Sequence, residues 1–342
     1  MRVGVVGATG LVGTEMLRVL EERAFPVDEL RVYASPRSEG RRLAFSGREV
    51  VCETLRAGCF DGLDLVIVDV DDPLALEWVP QAAASGALVV DNSAAFRMED
   101  DVPLVVAEVN PEDLETHPRG VVSCPNCTTM VLVTALAPLP RAAGIERMVG
   151  STYQTVSGAG QAGVRELAEQ WTKGAGREDA LRRAGAIPGA IEPGEVWSKP
   201  IAGNVIPLAG RLGGDGRTSE ETKLVRESRK ILHAPDLAVS VTCVRVPVYV
   251  GHAMTANVSF SRPLSGEAAA AALTDAHGVT LVEGGDGAPT PLEAAGIDPV
   301  LVGRLREDAS QPRTLDLWVA GDNLRKGAAL NAVQLAEHLA DL

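Results

Sequence analysis

Val3-Gly4-Val5-Val6-Gly7-Ala8-Thr9-Gly10-Leu11-Val12-Gly13 is the stretch that decides the fold. Val3 to Val6 is a short apolar strand, and G-x-x-G-x-x-G follows it at once. Val12, Met16, Val19 and Leu20 then recur at helical spacing as far as about Arg23. Strand, glycine turn and helix in that order let the backbone approach a pyrophosphate and aim a helix N-terminus at its charge. Gly7, Thr9, Gly10, Leu11, Val12 and Gly13 are therefore the candidate cradle for a dinucleotide.

The next strand, Leu30 to Ala34, ends in Ser35-Pro36-Arg37-Ser38. A site that reads an unmodified adenosine ribose places an acid here. An arginine between two hydroxyls instead suits a 2′-phosphate through charge-assisted hydrogen bonds. Ser35, Arg37 and Ser38 are expected to select NADP over NAD. Strands at 64–68 and 87–90, separated by a helical stretch over 74–85, extend the pattern. Such alternation predicts an α/β, Rossmann-type, doubly wound parallel sheet, with ligand contacts at strand ends such as Asp91-Asn92-Ser93.

Ser123-Cys124-Pro125-Asn126-Cys127-Thr128-Thr129 carries the chemistry. It follows the strand-like Gly120-Val121-Val122 and precedes the apolar Met130-Val131-Leu132-Val133, which puts the Cys127 thiol at a helix N-terminus. The dipole and free N–H groups there favour thiolate, so Cys127 is the candidate nucleophile. Cys124 and Cys127 form one C-x-x-C pair with no second pair beside it, and no metal site is expected.

A cysteine nucleophile needs an acid/base. Of the five histidines, His252 ends the strand-like run Val248-Tyr249-Val250 at a glycine turn and is the candidate, with a pKa expected near working pH. Gln154, just before a glycine-rich segment, is placed to orient an acyl group. Arg245 lies in the apolar run Cys243 to Val248. It calls for a carboxylate or phosphate partner, or for an internal ion pair.

At 342 residues the chain has room for two cores. Its formal net charge of −14 argues against nucleic acid or an anionic membrane as partner, but leaves room for an anionic small molecule held by a few local cations. No apolar run approaches twenty residues, Met1-Arg2 leads straight into the first strand, and the five cysteines are scattered. A reduced, cytoplasmic protein is expected. Beyond Cys127 the strand-like runs lengthen, at 147–155 and 239–250, among Gly/Pro-rich loops at 184–194 and 210–216. This predicts an α+β second domain. Asp322 to Gly327 opens a last helix running through Leu339, whose apolar face returns to the first domain. The expected division is 1–128 plus 323–342 for the nucleotide domain and 129–322 for the second.

Together these stretches resemble the aspartate-β-semialdehyde dehydrogenase family along nearly the whole chain. The matching segments are Gly7–Gly13, Ser35–Ser38, Asp91–Ser93, Pro125–Thr129, Tyr153–Gly160, Lys223 with Glu227–Leu232, Val244–His252 and Gly321–Gly327. The resemblance implies NADPH-dependent reduction of aspartyl-β-phosphate to aspartate semialdehyde and phosphate, toward lysine, methionine and threonine. It implies that Cys127 forms a thioester, that His252 manages the proton and that Gln154 positions the acyl group. Arg245 would clamp the α-carboxylate and Glu220 the ammonium. Arg97, Asn126 and Lys223 would bind the phosphoryl group, and Ser157, Gly158 and Asn323 the cofactor. It also implies a homodimer or homotetramer built through the second domain.

Three positions depart from the family pattern: Asp69-Val70-Asp71-Asp72-Pro73 replaces a small Ser/Ala-Gly turn, Gly203 an aromatic and Ala253 a serine. Two other readings stay open here. One is a paralogous acyl-phosphate reductase acting on N-acetyl-glutamyl phosphate, from which Glu220 discriminates. The other is a catalytically idle nucleotide-binding paralogue.

Overall fold

β1 (Arg2–Val6) reads as an uninterrupted apolar run because it lies in the middle of a sheet with both faces covered. The structure is a computed structural model that describes residues 1–139, 143–177, 179 and 191–341. β1 pairs in parallel with β2 (Glu29–Tyr33) on one side and β5 (Leu65–Val68) on the other. β6 (Leu88–Asp91) and β7 (Val121–Ser123) continue beyond β5. The hairpin of β3 (Arg42–Phe45) and β4 (Arg48–Glu53) adds to the far side of β2. The strand order reverses between β2 and β5, so a crevice forms at the C-terminal end of β1.

α1 (Leu11–Glu22), with Gly10 as its N-cap, begins where the glycine turn and the helical spacing predict. α2 (Asp72–Ala84) begins slightly before the expected 74–85, because Asp71 caps it and Pro73 fits its first turn. α3 (Cys127–Leu136) passes from the first sheet to the second. Met130 and Val133 pack in the first core, while Val131, Leu132 and Ala135 pack in the second.

The second sheet has the order β11-β12-β13-β10-β8-β9. Its strands are β8 (Ile145–Gln154), β9 (Ala238–Arg245), β10 (His252–Phe260), β11 (Val279–Leu281), β12 (Val300–Glu307) and β13 (Thr314–Gly321). β8 with β9 and β11 with β12 are parallel pairs, and the remaining pairs are antiparallel. One face buries Met254, Val258 and Val319 against α3; the other carries Tyr153 and Trp318 with ring centroids 5.4 Å apart. The strand expected over 239–250 stops at Arg245. Pro247 has no N–H for the ladder, and Val248 N–H turns back to the Val246 carbonyl at 2.9 Å. Of the loop expected at 184–194, residues 184–190 lie outside the described residues.

The chain returns differently from the expected single helix. Residues Arg325–Ala329 form a widened π turn, and the α-helix α8 (Leu330–Asp341) begins only after it. Asp322 imposes this, accepting from the Leu324 and Arg325 N–H groups at 2.8 and 3.0 Å while its carbonyl takes the Gly327 N–H at 2.9 Å. α8 then packs Leu330, Val333 and Ala336 into the same core as Val3, Met16 and Leu20. Buried Arg325 pairs with Glu15, Glu22 and Asp298, tying α1 to the loop before β12. No helix among the described residues is long and apolar enough to cross a membrane.

Candidate active site

α3 starts at Cys127 because Asn126 is a good N-cap: its Oδ1 accepts from the Thr128 N–H at 3.0 Å. Asn126 is itself held by two acids. Its N–H donates to Glu227 Oε2 at 2.7 Å and its Nδ2 to Glu220 Oε2 at 3.0 Å. The Cys127 Sγ lies 3.2 Å from His252 Nε2. His252 is the first residue of β10, reached through Gly251 at φ +91°, where an added Cβ would strike the Pro291 carbonyl. Its Nδ1 accepts from the Thr155 N–H at 3.2 Å, which fixes the ring and leaves Nε2–H facing the sulfur.

Burial sets the charges of this pair and corrects two expectations. It pushes the Cys127 thiol up to about 11, with the Glu220 charge adding and Arg245 opposing. It pulls His252 down to about 3, with Arg245 contributing. Desolvation outweighs the helix N-terminus, so neither group is charged in the protein alone at neutral pH. Because the thiol is raised, its thiolate fraction grows with pH. Alkylation of Cys127 by iodoacetamide should therefore accelerate without a plateau up to about pH 9. A rate already flat near about pH 6 would show a resting thiolate.

Gln154 and Arg245 are direct partners across the parallel β8–β9 pair, which brings both to the mouth of this site. Gln154 Nε2 donates to Thr128 Oγ1 at 2.6 Å, and Arg245 Nη1 to the Thr155 carbonyl at 2.6 Å. Gly158 closes over them: an added Cβ would sit 2.9 Å from Arg245 Nη1 and 3.4 Å from the His252 ring. α5 (Ser219–Ile231; α4, Gly160–Gly174, precedes it) supplies Glu220 and Lys223, paired at 3.0 Å. These residues line one pocket of about 590 Å³ with Asn126, Cys127, Gln154, Arg245 and His252.

Arg97 is placed otherwise. Its Nε and Nη2 donate to the Cys124 and Asn92 carbonyls at 2.8 and 2.7 Å, and Nη1 pairs with Glu227 at 3.0 Å. It lines the adjoining pocket of about 390 Å³ behind Asn126. The sequence alone assigns no role to Glu227, which bridges Arg97 to Asn126. Its signal was available: Glu220, Lys223 and Glu227 recur at helical spacing on one face.

The adjoining pocket shares Asn126, Cys127 and Gly158 with the first, and Gly10, Leu11, Val12, Ser157 and Asn323 also line it. Gly7 has φ +88°, and a Cβ there would meet the Asp69 carbonyl, as one on Gly13 would meet the Gly7 carbonyl. Gly10 caps α1 without a side chain, so the first N–H groups of the helix stay open. Asn323 Nδ2 donates to Ser157 Oγ at 2.9 Å, and its Oδ1 accepts from the Gly251 N–H at 3.0 Å. Ser35, Arg37 and Ser38 form a short turn at the end of β2, with Arg37 exposed and Thr9 Oγ1 3.4 Å from Ser38 Oγ. The bare glycine cradle, the open helix end and the exposed arginine fit a dinucleotide with a 2′-phosphate.

The acidic loop divides in two. Asp71 caps α2 through the Leu74 N–H at 3.4 Å, and Asp72 accepts from the Ala94 N–H at 2.8 Å. Asp69 alone turns a half-buried carboxylate to the dinucleotide pocket.

Comparison with known proteins bears on this geometry. Residues 2–117 match the model "Semialdehyde dehydrogenase, NAD binding domain", and residues 136–326 match "Semialdehyde dehydrogenase, dimerisation domain". The chain is 49% identical to the aspartate-semialdehyde dehydrogenase of Streptomyces akiyoshiensis, over 99% of this chain and 98% of that protein. It is 46% identical to that of Mycolicibacterium smegmatis, over 99% of both. The crystal structure of aspartate semialdehyde dehydrogenase II from Vibrio cholerae, complexed with ASA, superposes with a TM-score of 0.93. Identity there is 42%, over 99% of this chain and 98% of that one.

Proposed function

The chain belongs to the aspartate-semialdehyde dehydrogenase family, and on that premise we propose how its own residues carry the reaction. The enzyme is an NADP-dependent oxidoreductase that reduces L-aspartyl-β-phosphate to L-aspartate-4-semialdehyde and phosphate, reversibly, on the route to lysine, methionine and threonine. The observation that carries the reading is Cys127 Sγ at 3.2 Å from His252 Nε2, on the wall shared by a charged pocket and a glycine cradle.

Arg245 receives the substrate α-carboxylate and Glu220 its ammonium. Lys223 and Asn126 take the phosphoryl group, and Arg97, with its nitrogens engaged, adds positive charge behind them. The Cys127 sulfur attacks the acyl carbonyl, the C–O bond to phosphate breaks, the departing phosphate takes up the thiol proton, and a thioester remains. Gln154 orients that carbonyl. NADPH held at Ser157, Gly158 and Asn323 would supply the hydride that reduces the thioester. The resulting thiohemiacetal on Cys127 collapses with cleavage of its C–S bond, and His252 Nε2–H steadies the departing sulfur.

Gly7, Thr9, Gly10, Leu11, Val12 and Gly13 hold the pyrophosphate, Ser35, Arg37 and Ser38 the 2′-phosphate, and Ser157, Gly158 and Asn323 the nicotinamide end. Domains of 1–128 with 323–342 and of 129–322 are supported by the core that α8 shares with α1. The protein assembles through a dimerisation domain. A homodimer or homotetramer built on the Tyr153–Trp318 face, working in the cytoplasm, completes the proposal.

Two assays test this. With phosphate and NADP, aspartate semialdehyde should be oxidised at least about 10²-fold more efficiently than N-acetyl-glutamate semialdehyde, because Glu220 has no partner on an acetamide. The reverse preference would overturn the substrate assignment. Arg37→Ser should raise the KM for NADP about tenfold or more and leave that for NAD unchanged. Equal effects on both would remove Arg37 from the 2′-phosphate site.

A further inference from the structure

We infer that Asp69 sets the balance of affinity between the two redox forms of the cofactor, favouring the oxidised form; this rests on the reading of the adjoining pocket as an NADP site. Asp69 directly follows β5 and its backbone is fixed, with its N–H on the Val6 carbonyl at 2.9 Å and its own carbonyl against Gly7. Its side chain lines the pocket that runs from Gly10, Leu11 and Val12 to Cys127. Hydride transfer requires the nicotinamide ring to reach the carbonyl carried by Cys127, which lines the same pocket as Asp69. Asp69 Oδ1 accepts from Asn92 Nδ2 at 3.3 Å, and Oδ2 accepts from no group among the described residues.

The charged surroundings are few. Asp91, buried at the end of β6, adds negative charge, while Arg97 adds positive charge but is already paired with Glu227. The glycine turn brings no titratable group, and Cys127 is neutral. Burial lifts the Asp69 carboxyl to about 6, so it is ionised at slightly alkaline pH and protonated in mild acid.

The oxidised nicotinamide ring carries a positive charge and the reduced ring none. The phosphates are common to both forms and cancel in the ratio of their affinities. An ionised Asp69 therefore tightens NADP⁺ relative to NADPH, on the order of tenfold for opposite charges sharing one partly desolvated pocket. Positive charge also grows on the ring as hydride leaves, so the same carboxylate favours hydride donation to the thioester.

Asp69→Asn keeps the shape and removes the charge, with Asp69→Ser as a smaller second variant. Calorimetric titration of the full-length wild type and both variants with NADP⁺ and NADPH, at about pH 5 and about pH 8, reads the effect directly. In the wild type the ratio Kd(NADPH)/Kd(NADP⁺) should rise on the order of tenfold with pH; in the variants it should be low and flat. Variants that bind both forms with the wild-type ratio and pH dependence overturn the inference alone. A wild type that binds neither form overturns the cofactor assignment and this inference with it.

Discussion

Cys127→Ser should lower phosphate-dependent turnover at least about 10³-fold while NADPH affinity stays within about twofold. The side chain sits at the first turn of α3, and among the described residues its polar partners are His252 Nε2 at 3.2 Å and Thr128 Oγ1 at 4.0 Å. A serine fits this space, so the fold should hold. The chemistry should not. A hydroxyl ionises far above the already raised thiol, and the neutral His252 is too weak a base to strip it. An ester, moreover, accepts hydride less readily than a thioester. Steady-state assay and cofactor titration on one preparation separate the two effects. Near-normal turnover would remove Cys127 from the reaction.

His252→Asn should lower kcat by about 10²–10⁴-fold and change KM for the semialdehyde less than about threefold. The imidazole is buried and touches the sulfur and Thr155, whereas the charged ends of the substrate fall to Arg245, Glu220 and Lys223. An asparagine amide ends near the place of Nδ1, short of the sulfur, so the N–H that steadies the departing thiolate is lost. A large rise in KM with kcat preserved would instead make His252 a binding residue.

Much of this was legible in the chain itself, for reasons that differ between residues. Gly7 to Gly13 and the Asn126–Cys127 cap are local devices, in which a handful of neighbouring residues fixes the backbone, so sequence and geometry agree. His252 was found because a glycine turn ends its strand-like run. That it meets Cys127, 125 positions away, depends on β10 lying beside β8, a non-local pairing without a sequence signature. The charge state of the pair was misjudged for the same reason. A helix N-terminus is visible in sequence, but the depth of burial that outweighs it is a property of the assembled core. The π turn at Arg325–Ala329 was likewise hidden. It arises from Asp322 bonding forward to two N–H groups and lets Gly327 pass close to Cys127, where a Cβ would lie 3.0 Å from that of the cysteine. The acidic loop read as one feature and is several: Asp71 caps α2, Asp72 holds the Ala94 N–H at the edge of the charged pocket, and Asp69 lines the adjoining one.

In the proposed reaction a thioester forms on Cys127 and only phosphate releases it. Rapid mixing of the enzyme with aspartate semialdehyde and NADP in phosphate-free buffer tests it most directly. About one equivalent of NADPH per active site should form in a burst, with an acyl adduct on Cys127 by mass spectrometry, and added phosphate should restore continuous turnover. Continuous NADPH formation without phosphate, or a burst that leaves Cys127 unmodified, would rule out a Cys127 thioester.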